Sequence, residues 1–148
     1  MGKIATKLPR KTQSKPRPPE RDYSHRTLIE KLGVKPGQKI LILGVDDGAF
    51  INDIRPFNPE FAERKPAADL DMIFFGAAQK KDLARLTSLR KSIAKNGAIW
   101  VVYPKGRQEI REIDVIESGK AAGLTDNKVC SFSNTHTALR FVIPLANR

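Results

Sequence analysis

The segment KILILGVDDGAF, residues 39–50, decides how this chain reads. Four aliphatic residues, Ile40 to Leu43, run into Gly44; Asp46 and Asp47 follow, then Gly48 and an apolar restart. An unbroken apolar run of this kind predicts a strand buried on both faces, as in a parallel sheet. Asp46 or Asp47 is placed to cap a helix near 48–55, where an acid also suits the helix dipole. A strand that enters a loop and then a helix opens many nucleotide-binding folds.

Outward from this segment, the chain keeps alternating helix and strand signals. Upstream, Leu28, Ile29 and Leu32 share one helical face, with Ser24 as N-cap and Gly33 as stop. Pro36-Gly37 then makes a turn with positive φ at the glycine. Downstream, residues 55–68 hold three prolines and read as an irregular connection. LDMIFFG (70–76) and AIWVVYP (98–104) are two more buried strands. Between them, 79–97 reads as one helix with Leu83, Leu86, Leu89 or Arg90, and Ile93 facing inward, ended by Asn96-Gly97. A further helix over about 110–122 presents Ile113, Ile116, Ala121 and Ala122 and stops at Gly123. The stretches 124–135 and 136–145 alternate apolar and polar residues and form an antiparallel hairpin. The fold expected is α/β: three-layer, Rossmann-like, with a mainly parallel sheet that ends in an antiparallel hairpin.

Composition sets the remaining limits. The 148 residues carry a formal net charge of +11. Residues 1–22 hold seven Lys and Arg against two acids, so this Pro-rich basic segment accounts for +5. It has too little apolar surface to offset the entropy of ordering and reads as a disordered tail, leaving 23–148 as a single α/β domain. The single cysteine, Cys130, excludes an internal disulfide and a multi-cysteine zinc site, and reads as a packed core residue. No apolar run reaches the roughly 20 residues of a membrane span. A cytoplasmic location follows as the default.

Four stretches together resemble a known bacterial family: LGVKPGQKILILGVDDG (32–48), LDMIFFG (70–76), NGAIWVVYPKG (96–106) and AAGLTDNKVCSFSNTHTALRFV (121–142). They are similar to the domain of unknown function numbered 3052 (DUF3052), over about residues 24–143. The resemblance implies a methyltransferase-like fold, shortened relative to full class I methyltransferases. It implies no activity, because none of its pieces is a catalytic signature.

A methyltransferase-type loop reads acid-x-Gly-x-Gly-x-Gly. Laid on this chain, the acid falls on Ile42 and the glycines on Gly44, Asp46 and Gly48. The acid and the central glycine are therefore replaced. An aspartate at the central position fills space that backbone and ligand would share, and adds charge. Asp46 and Asp47 would repel a pyrophosphate, which disfavours NAD, FAD and ATP. S-adenosylmethionine, a sulfonium without phosphate, is not excluded by them, but the half-sheet that would grip its adenosine reads as cut short, and the loop reads first as a structural one with capping aspartates. The acid expected about 20 residues further on could only be Glu60 or Glu63, in Pro-rich sequence without a strand signal. The candidate cofactor-binding residues are Gly44, Asp46, Asp47, Gly48 and, at the end of the central strand, Lys105.

Other chemistry is sparse. Lys80, Lys81, Arg85, Arg90, Lys91 and Lys95 share the 80–95 helix and, with the 1–22 tail, form a candidate polyanion or nucleic-acid surface. His25 and His136 lack metal-ligand spacing and read as structural or solvated. Three functions fit: a non-catalytic binding or regulatory protein, which we put first; an S-adenosylmethionine-dependent methyltransferase with a degenerate loop; and an accessory nucleic-acid-binding protein. The methyltransferase reading requires a nucleoside-sized pocket beside Gly44 and Asp46.

Overall fold

The computed structural model describes residues 28–61 and 68–148. The chain divides into two units, residues 1–34 and 35–148. In the first, residues 28–31 are helical and the turn closes at Gly33, whose φ is +78° and whose amide donates to the Glu30 carbonyl at 3.0 Å. The basic tail, the Ser24 cap, His25 and Glu63 lie outside the described residues.

The second unit is a six-stranded sheet with helices. Its strands are β1 (Ile40–Leu43), β2 (Glu60–Phe61), β3 (Leu70–Gly76), β4 (Ile93–Pro104), β5 (Thr125–Ser131) and β6 (His136–Val142). Its α-helices are α1 (Gly48–Ile54), α2 (Leu86–Arg90) and α3 (Glu112–Ala121). The spatial order is β2-β1-β3-β4-β6-β5. β2, β1, β3 and β4 are parallel, and β6 and β5 close the sheet antiparallel.

Alternation along the strands supplies both faces of the sheet. Leu41, Ile73, Phe75, Val101 and Phe141 form one face with Leu83, Leu86, Leu89 and Val115 from the helical segments. On the other face Phe50 of α1 meets Phe74 of β3, ring centroids 5.0 Å apart, and Phe132 at 4.9 Å. Helices thus cover both faces of this mainly parallel sheet, the three-layer arrangement expected. Burying a ring such as Phe50 stabilises the unit by about 2–3 kcal/mol.

Four local expectations are corrected. The 55–68 connection contains β2, where Glu60 and Phe61 pair with Leu41 and Ile42. Phe61 is 53% exposed, so no burial pattern marks this strand. The 79–97 helix is a 3-10 turn, Lys80–Arg85, followed by the five residues of α2. Lys91 and Ser92 turn the chain back through bonds to Ser88 and Leu89, and Ile93 already pairs with Leu70. Asn96-Gly97 lies within a bulge of β4; a Cβ on Gly97 would sit 2.7 Å from the Leu70 carbonyl oxygen. The third correction concerns α3, which buries Val115 and Gly119, while Ile113 is 48% exposed and Ile116 only partly buried. A side chain on Gly119 would collide with the Phe141 ring, so the glycine is what lets this helix lie close. Finally, Cys130 is half-buried on the edge strand β5 and not in the packed core.

The basic 80–95 helix therefore does not exist as one face. Lys80 pairs with Asp114 at 3.8 Å, and Arg90 donates to the Gly123 carbonyl at 3.3 Å. Lys95 belongs to the β4 bulge. No helix among the described residues is long and apolar enough to cross a membrane.

Candidate functional site

Topology places a crevice at the carboxyl ends of β1 and β3. The chain leaves β1 for β2 on one side and returns to β3 on the other, so the connections diverge above this pair. Open α/β sheets bind ligands at such switch points. A cavity of about 500 Å³ lies here.

The β1 side of the cavity is the opening segment. Gly44 holds φ +79°, a conformation costly for any side chain, and Asp47 ends the loop in extended backbone. Gly76 faces Gly44, and a side chain there would collide with the Gly44 carbonyl oxygen. Asp47 Oδ1 accepts the Phe50 amide at 3.0 Å and caps α1. Asp46 also lines the cavity, is exposed, and has no hydrogen-bond or ion-pair partner among the described residues.

The segment after β3 forms the roof. Asp82 Oδ2 accepts the amides of Ala78 and Gln79, both at 3.0 Å, and pins the turn that follows the strand. Arg85, three residues on, lies with its guanidinium carbon 5.8 Å from the centre of the Phe75 ring. That contact leaves the N–H edges of the guanidinium open.

Beyond β4 and β6 the lining becomes mixed. Arg107 lines the cavity and, like Asp46, has no partner among the described residues. Val102, Pro104 and Phe132 supply apolar wall, and Phe132 continues into the Phe50 contact beneath α1. Thr135 and His136 complete this end, with Thr135 Oγ1 2.8 Å from His136 Nδ1. Ser133 Oγ accepts the amides of Thr135 at 3.2 Å and His136 at 3.1 Å, which fixes the turn.

Of the candidate residues, Gly44, Asp46 and Asp47 line this cavity together. Gly48 is the first residue of α1, and a Cβ there would meet nothing within 4 Å. Lys105 is turned away: its Nζ donates to Ser131 Oγ at 2.8 Å, and it borders a separate, shallower depression with Arg111 and Tyr103. Burial, and then the Glu112 carboxylate, push the Tyr103 phenol up to about 12. At the foot of α3, Asp114 is held below the usual carboxylate range by hydrogen bonds from Arg111. Glu60 pairs with Leu41, three residues before Gly44, and does not line the cavity.

Sequence reasoning did not bring Arg85, Arg107 or His136 to this site. Arg107 stands two residues beyond Lys105, at the same strand end, and His136 carries no metal-ligand spacing to mark it. The cavity is consequently polarised. Asp46 and Asp47 lie at the β1 end, and on the β3 and β4 side Arg85 and Arg107 outnumber Asp82. Repulsion of phosphate by Asp46 and Asp47 applies at the first end only. No cluster of three or more His, Cys, Asp or Glu able to hold a metal occurs among the described residues.

No family model and no curated protein sequence matches this chain. Solved structures do. A S-adenosylmethionine-dependent methyltransferase from Aquifex aeolicus is similar with a TM-score of 0.58 and 15% identity, over 86% of this chain and 94% of that one. A TehB-like S-adenosylmethionine-dependent methyltransferase from Corynebacterium glutamicum has a TM-score of 0.56 and 14% identity, over 80% and 86% of the two chains. Magnesium protoporphyrin IX methyltransferase from Synechocystis, solved with bound S-adenosylmethionine, has a TM-score of 0.58 and 13% identity, over 83% and 77%. At these identities the likeness is one of fold: the chain has the class I methyltransferase fold.

Proposed function

We propose that this protein binds S-adenosylmethionine, or the S-adenosylhomocysteine left by methyl transfer, in the cavity beside Gly44 and Asp46. The observation that carries the reading is the cavity itself. It has the volume of a small-molecule site, lies at the switch point, and presents the unpartnered Asp46 carboxylate. A sulfonium or ammonium group complements that carboxylate where a phosphate would not. The relatives in fold are methyltransferases, one of them with S-adenosylmethionine bound.

Binding is the function proposed first. Methyl transfer is the second reading, and one observation favours it: His136, its ring held by Thr135, lines the same cavity and is a group able to take a proton from an acceptor.

Calorimetric titration with S-adenosylmethionine and S-adenosylhomocysteine tests the first reading. Micromolar binding that weakens in Asp46→Ala is expected. Absence of heat with millimolar ligand contradicts it. Incubation with S-adenosylmethionine and chromatography for S-adenosylhomocysteine then separates binding from turnover.

A further inference from the structure

The cavity has a second half that an S-adenosyl ligand at the β1 end does not explain. Arg85 and Arg107 both line it, and no carboxylate among the described residues pairs with either. Of the acids that line the cavity, Asp47 and Asp82 accept backbone amides, and among the described residues no ion pair joins Asp46, Asp47 or Asp82 to either arginine. Elsewhere Arg111 and Lys80 pair with Asp114. Two guanidiniums around one concave site form a fork-shaped donor set suited to the planar or tetrahedral oxygens of an anion. Val102, Pro104 and Phe132 give the same cavity an apolar wall.

We propose that this half of the cavity binds a second ligand, a small organic acid whose anionic group rests on Arg85 and Arg107 and whose apolar body lies against Val102, Pro104 and Phe132. His136 borders the same half and adds a polar group beside that body. The inference rests on the reading of the β1 end as the S-adenosyl site. The recognised chemistry is the anion. A carboxylate and a phosphate ester share it, and the probes below tell them apart.

The test uses the full chain, titrated by calorimetry with and without saturating S-adenosylhomocysteine. The probes are 4-hydroxybenzoate, its neutral counterpart 4-hydroxybenzamide, and phenyl phosphate. An anionic probe binds at least about tenfold more tightly than the amide, the scale of one charge-assisted hydrogen bond. Arg107→Gln and Arg85→Gln each remove about that factor, while S-adenosylhomocysteine affinity stays within about threefold. Both arginines are exposed, so neither variant disturbs the core. The preference between benzoate and phenyl phosphate assigns the anion as carboxylate or phosphate ester. Equal binding of acid and amide, or unchanged affinity in both variants, overturns the proposal. If S-adenosylhomocysteine fails to bind while the acid binds through the arginines, the S-adenosyl reading fails and the anion subsite stands.

Discussion

Two ends of one loop behave differently. At its base, Gly44 is pressed against Gly76, and the two backbones leave no room for a side chain at position 76. At its far end, Gly48 begins α1 in open space. Between them Asp46 faces the cavity without a partner, and Asp47 is committed to the helix cap. The base of the loop is thus explained by the protein's own packing, and Asp46 is not. A glycine in a nucleotide-type loop is no evidence of a ligand when a neighbouring strand already requires it. An unpartnered charge beside a cavity is the better pointer.

The comparison can be broken most forcefully at its base. Gly76→Ala drives a Cβ into the Gly44 carbonyl, and overpacking against backbone is expected to cost about 3 kcal/mol or more. Urea unfolding measures this; a loss under about 1 kcal/mol shows that the seam between β1 and β3 can part. Next comes the pair of aspartates. Asp47→Ala removes a cap and should cost about 1 kcal/mol, whereas Asp46→Ala should change stability by less than about 0.5 kcal/mol. The same two variants should show the reverse pattern in S-adenosylhomocysteine affinity, with Asp46→Ala the weaker binder. If Asp46→Ala destabilises as much as Asp47→Ala, Asp46 is a structural residue and the division between the ends of the loop fails.

At the far end the expected effects are smaller. Gly48→Ala adds a better helix former where nothing obstructs it, so stability should stay level or rise by up to about 1 kcal/mol. Thermal melts check this, and ligand affinity should be unaltered; a clear loss of affinity shows that the ligand extends over the start of α1. Tyr103, outside the cavity, gives an effect that vanishes at neutral pH. Its phenol titrates near 10.0 when unfolded and at about 12 in the fold. The folded state holds the proton longer, so stability is fully present below pH 10 and falls as pH rises from 10 to 12. Tyr103→Phe should flatten that decline in alkaline denaturation curves.

Much of the fold could be read from the residues, and the reasons are local. LDMIFFG and AIWVVYP are apolar on both faces, and only burial between two helical layers accommodates that. Asp47 before an apolar restart, and Gly123 after a helical run, are caps with a mechanism. Ile93 reads as an inward helical residue, and an inward helical position and a buried strand position ask for the same side chain; its pairing with Leu70 makes it a strand residue. The face of α3 is not legible in the sequence, because apolar periodicity rewards Ile113 and ignores Gly119, and the need for a glycine arises only from the Phe141 ring on β6. β2 carries no signal since its two residues are exposed.

The candidate site was legible by half. Gly44, Asp46 and Asp47 are contiguous in the chain, so the sequence places them together whatever the fold. Arg85, Arg107 and His136 are brought to that loop by strand order alone, across three connections. Lys105 is the cation nearest the strand end, yet its ammonium is drawn to Ser131 on the adjoining hairpin.

The central claim is that the cavity beside Asp46 is an S-adenosyl site, and amide-resolved NMR titration with S-adenosylhomocysteine tests it most directly. The account predicts saturable shifts at Gly44 to Asp47 and Gly76 to Ala78, with the amides of the β5 edge strand unmoved. Unchanged spectra at millimolar ligand, or shifts that leave Gly44 to Asp47 untouched, would contradict it.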